Sequence, residues 1–139
     1  MLMSEYSHTL DAKGRMIFPA RLREELGNTF VITRGLDNCI GVYSLSEWER
    51  FSEKLMSQPF SKGSKLVRFM FSKATRVEAD KQGRILIPSS LREYACIDKD
   101  VVVVGMGNRA EIWDKDKWEE FENSISQDDI EAAMDELNF

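Results

Sequence analysis

The sequence predicts an α+β fold, mostly β with flanking helices, in which two copies of one unit interlock with approximate two-fold symmetry. Three observations carry this expectation. Asp11–Glu24 reads DAKGRMIFPARLRE and Asp80–Glu93 reads DKQGRILIPSSLRE, with Asp11/Asp80, Gly14/Gly83, Arg15/Arg84, Pro19/Pro88, Leu22/Leu91, Arg23/Arg92 and Glu24/Glu93 identical. The likeness continues downstream, where an offset of 69 becomes 70: Gly35/Gly105, Asn38/Asn108, Tyr43/Trp113, Trp48/Trp118, Glu49/Glu119 and Phe51/Phe121 align. An internal duplication therefore spans nearly the whole chain. Finally, neither unit of about 50 to 60 residues holds an obvious complete core, and the second copy is the nearest cover for its apolar strand faces.

Each unit is readable element by element. An alternating strand, carrying His8 in the first copy, leads into a D-x-x-G-R turn. Gly14 and Gly83 stand where that turn needs positive φ, which a side chain would penalise. Short apolar runs follow, then Pro19 or Pro88, then a helix start. Val31-Ile32 and Val101 to Val104 are β-branched runs of the kind a buried strand uses. Gly35 to Asn38 and Gly105 to Asn108 supply tight reversals. Ser46-x-x-Glu49, a capping box, and Asp116-x-x-Glu119 predict helices over 46–56 and 116–125. On them Trp48, Phe51 and Leu55, and Trp118, Phe121 and Ile125, form stripes expected in the core. The expected units are 1–58 and 71–125, joined by a connector at 59–70 with Pro59 and Gly63 as breakers. An acidic amphipathic helix over 126–139 should pack Ile130, Ala133, Met134 and Leu137 on the body or a neighbour.

Composition narrows the chemistry. The chain has 139 residues, 42% hydrophobic and 31% charged, enough for one modest core. No apolar stretch approaches ~18 residues, so no membrane span is expected. The N-terminus MLMSEYSHTL has no basic region followed by an apolar one, so nothing points to secretion. Cys39 and Cys96 form no C-x-x-C and read as reduced cysteines of a cytoplasmic protein. With His8 the only histidine, neither a His-based metal cluster nor a Ser-His-Asp triad can be assembled with redundancy. Gly-rich phosphate loops are missing too. Asp11 and Asp80 each have an arginine four residues on. No catalysis, cofactor, metal or small-molecule substrate is expected.

The net charge of −5 hides an asymmetry. Residues 111–139 hold eleven acids against Lys115 and Lys117, whereas residues 1–110 hold 17 basic and 13 acidic groups, a balance of +4. Binding follows local potential rather than the global sum. From 61 to 76, Lys62, Lys65, Arg68, Lys73 and Arg76 occur with no acid. Arg15 and Arg84 follow the glycine turns directly, with Lys13 and Lys81 beside them and Arg21, Arg23 and Arg92 on the next helices. Cations on rigid β-hairpins suit phosphate, and arginine also reaches guanine edges in the major groove. The same residues also read as turns stapled by their own Asp–Arg pairs, with no partner at all. Gln82 stands opposite Lys13, and Ser89-Ser90 opposite Ala20-Arg21. The second copy is thus less basic, and Arg15 is expected to matter at least as much as Arg84.

A D-x-x-G-R turn, an I-x-I-P strand end and an L-R-E helix resemble the AbrB-type swapped-hairpin domain. Two such copies, each with D-x-x-x-R, resemble the MraZ family over residues 3–125. This resemblance implies two AbrB-like repeats in a pseudo-two-fold double-split β-barrel and homo-oligomeric rings. It implies a transcriptional regulator of the bacterial division and cell-wall gene cluster, cytoplasmic and nucleoid-associated, that binds repeated boxes in double-stranded DNA. It carries DNA contact onto Arg15 and Arg84 with Lys13 and Lys81. The alternative is a non-catalytic protein-interaction scaffold without DNA binding.

Overall fold

The computed structural model describes residues 1–139. The first unit runs β1 (Glu5–Thr9), β2 (Arg15–Ile17), α1 (Ala20–Leu26), β3 (Thr29–Arg34), β4 (Ile40–Ser44) and α2 (Leu45–Met56). Then α3 (Phe60–Phe71) leads into β5 (Thr75–Glu78), β6 (Arg84–Leu86), α4 (Ser89–Tyr94), β7 (Asp100–Gly105), β8 (Ala110–Asp114) and α5 (Lys115–Ser124). The chain ends with α6 (Gln127–Glu136).

Strand pairing shows that the units interlock. The strands form a six-stranded sheet in the order β1-β7-β8-β4-β3-β5 and a separate two-stranded ribbon of β2 and β6. Every pairing is antiparallel. The first strand of each unit pairs with the third strand of the other, β1 with β7 and β5 with β3. In the ribbon Arg15 faces Leu86 and Ile17 faces Arg84, about a centre at Met16 and Ile85. In the sheet Ile40 faces Ile112 and Val42 faces Ala110, about Gly41 and Glu111. Both centres pair a residue with its own counterpart in the repeat, as a pseudo-dyad requires.

Three expectations need correction. The sheet ends at β1 and β5, which do not pair with each other, so the pairings close no barrel. The class is α+β, but helices hold more residues than strands, so "mostly β" does not describe it. The single late offset of 70 is also wrong for one strand pair. Phe30 faces Ser44 while Val101 faces Asp114, so β3 and β7 correspond at 71 and β4 and β8 at 70. The first β-hairpin is one residue longer, and Gly35 therefore matches Met106: their N–H groups donate to Cys39 and Arg109 carbonyls at 2.8 and 2.7 Å. The longer loop turns through Asp37 and Asn38 at positive φ, the shorter through Gly107.

One core of 19 buried side chains draws on both units. Phe18 and Phe30 pack at its centre with ring centroids 4.9 Å apart, joined by Met16, Ile32, Ile85, Ile87 and Leu91. Each large side chain so buried contributes about 1.5–3 kcal/mol. The valine run of β7 serves two surfaces. Val101 and Val103 enter this core, while Val102 and Val104 pack with Cys39 and Trp113 under Trp118 of α5. A strand covered on both faces reads as a continuous apolar run. The expected aromatic stripes lie outside the main core. Tyr43, Trp48, Phe51 and Phe71 form one aromatic cluster, and Trp113, Trp118 and Phe121 a second. Leu55 is buried, whereas Phe121 and Ile125 are exposed.

Helix boundaries depart from expectation in instructive ways. The caps of α2 and α5 are Ser44 and Asp114, two residues before the expected ones, accepting from the Glu47 and Lys117 N–H groups at 3.2 and 3.3 Å. Each is the last residue of a strand and still extended, so strand passes into helix without a loop. The expected broken connector is α3. Pro59 precedes its first turn, where the missing N–H costs nothing. Gly63 is buried within it near Leu55 of α2, where an added Cβ would meet Gln58 and Leu55 only at ordinary distances of 3.6–3.8 Å, so the site tolerates glycine inside the helix rather than requiring it. Arg34 fastens α3 to the sheet, donating from Nε to the Phe69 carbonyl at 2.9 Å with its guanidinium 4.3 Å from that ring. Finally, α6 does not pack on the body: every one of its residues is exposed, including Ile130 and Met134. Its start is a true capping box between Ser126 and Asp129.

Candidate nucleic-acid interface

The two D-x-x-G-R turns are built almost identically. Asp11 Oδ1 accepts the N–H groups of Lys13 and Arg15, both at 2.9 Å, and Oδ2 accepts Arg15 Nε at 2.8 Å. Asp80 Oδ1 accepts the N–H groups of Gln82 and Arg84 at 2.9 Å, and Oδ2 accepts Arg84 Nε at 2.8 Å. Backbone bonds close each loop, from Gly14 N–H to the Asp11 carbonyl at 3.0 Å and from Gly83 N–H to the Asp80 carbonyl at 2.9 Å. Gly14 and Gly83 sit at φ +81° and +79°, so the glycines are needed as expected. Both carboxyls are held below the usual carboxylate range, chiefly by the backbone N–H of the arginine and further by its side chain and the intervening N–H. They stay ionised as turn organisers. No three His, Cys, Asp or Glu side chains gather closely enough to hold a metal.

The Asp–Arg staple is real, and it does not exhaust the arginine. Nε is the one guanidinium nitrogen hydrogen-bonded to each aspartate, which leaves the two Nη groups of Arg15 and Arg84 without a hydrogen-bond partner in the chain. A fork of that kind, held at its base, is preorganised for a phosphate or a base edge.

The helix arginines are exchanged between the units. Arg23 of α1 donates from Nε to the Phe18 carbonyl at 3.2 Å, and its guanidinium covers the Gly83 turn. Arg92 of α4 donates to the Ile87 carbonyl at 3.0 Å and covers the Gly14 turn. The backbone crosses in the same way, Phe18 N–H to the Gly83 carbonyl and Ile87 N–H to the Gly14 carbonyl. Lys13 and Arg15 therefore share one end of the ribbon with Arg92, and Lys81 and Arg84 share the other with Arg23. Of the two α1 arginines expected to reinforce Arg15, Arg23 instead lies at the other end of the ribbon, because strand exchange delivers it to the second turn. Arg21 is exposed on α1, as Lys13 and Lys81 are on their turns. The basic run 61–76 lies on α3 and β5 rather than on the ribbon.

The ribbon has two distinct faces. Met16, Phe18, Ile85 and Ile87 point into the core. Period-2 alternation puts Arg15, Ile17, Arg84 and Leu86 on the opposite face. Ile17 and Leu86 are 50% and 55% exposed there, a division of faces that reading MIF and ILI only as short apolar runs did not draw. Strict alternation from Phe18 and Ile87 would have found them.

The sequence that builds this site is similar to known proteins along its whole length. The family model described as "MraZ protein, putative antitoxin-like" matches residues 1–66 and 70–138, once per unit. A Thermoanaerobacter sp. (strain X514) protein, "Transcriptional regulator MraZ", is 51% identical with 99% of each chain covered. The proteins of the same title from Moorella thermoacetica and Acetivibrio thermocellus are 53% and 49% identical, covering 99% and 96% of this chain and 96% of their own. A family model matching both units and identity near one half along the whole length agree, and the chain belongs to the MraZ family.

Proposed function

We propose that the protein is a sequence-specific, DNA-binding transcriptional regulator whose DNA face is the outer side of the β2–β6 ribbon with its two flanking turns. The observation that carries the reading is the pair of Asp-held arginines, Arg15 and Arg84, on one face of one ribbon about a pseudo-dyad. A two-stranded ribbon is narrow enough for the major groove, and phosphates flank the groove where Lys13, Lys81, Arg21, Arg23 and Arg92 could meet them. The titles of the relatives support the regulatory role. The family supports the rest of the reading: AbrB-like swapped-hairpin units at 1–58 and 71–125, a ring of copies, repeated DNA boxes, and the bacterial division and cell-wall gene cluster as target. One ribbon spans few base pairs, so several copies in a closed ring would supply the affinity by avidity.

A mobility-shift titration with a duplex from upstream of the protein's own gene tests this. Arg15→Ala and Arg84→Ala should each weaken binding about ten- to a hundredfold, as removing a bidentate base interaction does. The unfolding midpoint should move little, because Asp11 and Asp80 keep their backbone partners and exposed ion pairs contribute little. Arg84 should matter as much as Arg15, since Arg23 lies at its end. The slope of log K against log salt should flatten by about 0.9 for each phosphate that is no longer neutralised. Binding indistinguishable from wild type in both variants would defeat the reading. A scaffold, the competing reading, would shift no duplex at any salt.

A further inference from the structure

We propose that Ile17 and Leu86 read the C5-methyl groups of thymines in the major groove, and so set the sequence preference of a ribbon whose arginines supply affinity. This rests on the DNA-binding reading above. Half of each side chain is exposed, on a strand whose alternate residues Met16 and Ile85 are 1% exposed. Register places Ile17 directly across from Arg84 and Leu86 directly across from Arg15. The outer face is therefore a checkerboard of two guanidinium forks and two branched aliphatics. A face that only neutralised phosphate would gain nothing from isoleucine and leucine at those positions. The thymine methyl is the apolar group that base pairs present in the major groove, beside the acceptors that arginine recognises.

The surroundings select DNA over a protein partner. Lys13, Arg15, Lys81 and Arg84 flank the aliphatic pair, and a protein covering Ile17 and Leu86 would have to desolvate those cations. Ile17 and Leu86 are diagonal neighbours across the ribbon, about 7–8 Å apart, which is about two base-pair steps. The pseudo-dyad between them places one on each strand of the ribbon. The preferred site should thus hold two thymines about two steps apart, on opposite DNA strands.

The test uses the full-length protein and two probes. One is a duplex enriched by the wild type from a randomised pool; the other is the same duplex with every thymine replaced by uracil, which pairs identically and lacks only the methyl. Wild type should bind the uracil duplex about fifteenfold more weakly, roughly fourfold for each of the two methyls left uncovered. Ile17→Ala/Leu86→Ala should bind the thymine duplex about tenfold more weakly than wild type, distinguish the two probes less than twofold, and keep the wild-type salt slope. If that variant unfolds, Ile17→Thr keeps the β-branched shape with a hydroxyl in place of one aliphatic arm, and should lose discrimination in the same direction. Equal wild-type affinity for both probes overturns the proposal and leaves DNA binding standing. So does a variant that loses both duplexes equally while light scattering shows smaller assemblies, which would make the pair a contact between copies. Failure of the wild type to enrich any duplex sinks the DNA-binding reading itself, and this proposal with it.

Discussion

Gly83→Ala separates a conformational cost from a steric one. At φ +79° an alanine costs about 1–2 kcal/mol. The added Cβ would also lie 2.6 Å from Arg23 Nη2 and 3.0 Å from its Cζ, closer than real contacts allow. The guanidinium must therefore move, which strains or breaks its bond to the Phe18 carbonyl, an interaction worth about 0.5–1.5 kcal/mol net. Together these give about 1.5–3.5 kcal/mol. Gly107→Ala provides the control. Its φ is +87°, and nothing lies within 4 Å of the new methyl, so it should carry the first cost alone. Thermal unfolding in a chain of this size moves by about 3–5 °C per kcal/mol, which places the two variants several degrees apart. A double-mutant cycle isolates the second cost. In an Arg23→Ala background Gly83→Ala should cost no more than Gly107→Ala, a coupling of about 0.5–1.5 kcal/mol. If Gly83→Ala is no worse than Gly107→Ala, or adds fully to Arg23→Ala, then Arg23 is not seated on the turn of the other unit.

Two further outcomes follow from the same turns and pairings. Asp11 and Asp80 have depressed pKa values, so their contribution to stability is complete above the ordinary unfolded value of about 3.9 and is lost as pH falls through the lower folded value. Acid titration followed by circular dichroism should accordingly show a steeper loss of stability below about pH 4 in the wild type than in Asp11→Asn/Asp80→Asn, which keeps the Oδ1 acceptor without the titration; identical acid limbs would contradict it. Residues 1–58 alone leave β1 without β7 and β2 without β6, so the fragment should be unfolded or self-associated, and a well-folded monomer by light scattering would refute the interlocked pairing.

What the sequence made legible was everything set by short-range rules. Asp-x-x-Gly-Arg demands one turn, and the structure forms it twice with nearly matching hydrogen bonds. The valines of β7 announce a strand buried on both faces. Interlocking followed from the lack of a core within one unit, and the two dyad centres bear it out. The errors are of another kind. Pro59 and Gly63 are helix breakers only when they fall inside an unsupported helix; here one precedes the first turn and the other is buried against α2. Ser46 and Asp116 look like caps, but Ser44 and Asp114 are equally good cap residues two positions earlier, with Ser44-x-x-Glu47 even repeating the pattern. Nothing in the sequence chooses between them when a strand runs straight into a helix. The extra residue of the first β-hairpin shifts β3 against β7, and a repeat of glycines at offset 70 conceals it. Nothing local could show that Arg23 would cross to Gly83, because the crossing is a property of the strand order.

That crossing ties fold to site. Arg23 of the first unit lies over the turn that aims Arg84, and Arg92 of the second over the turn that aims Arg15. Each turn therefore draws its internal staple from its own unit and its cover from the other. Met16 and Ile85 complete the arrangement from below, burying the ribbon against the shared core while the arginines stay outside. A lesion in α1 should loosen the Arg84 end and spare the Arg15 end, even though Arg15 is its nearer neighbour in sequence. Duplication alone would supply two copies of a basic turn. Strand exchange makes them two ends of one rigid surface, with the spacing between the guanidinium forks set by a single paired ribbon rather than by a flexible link between units.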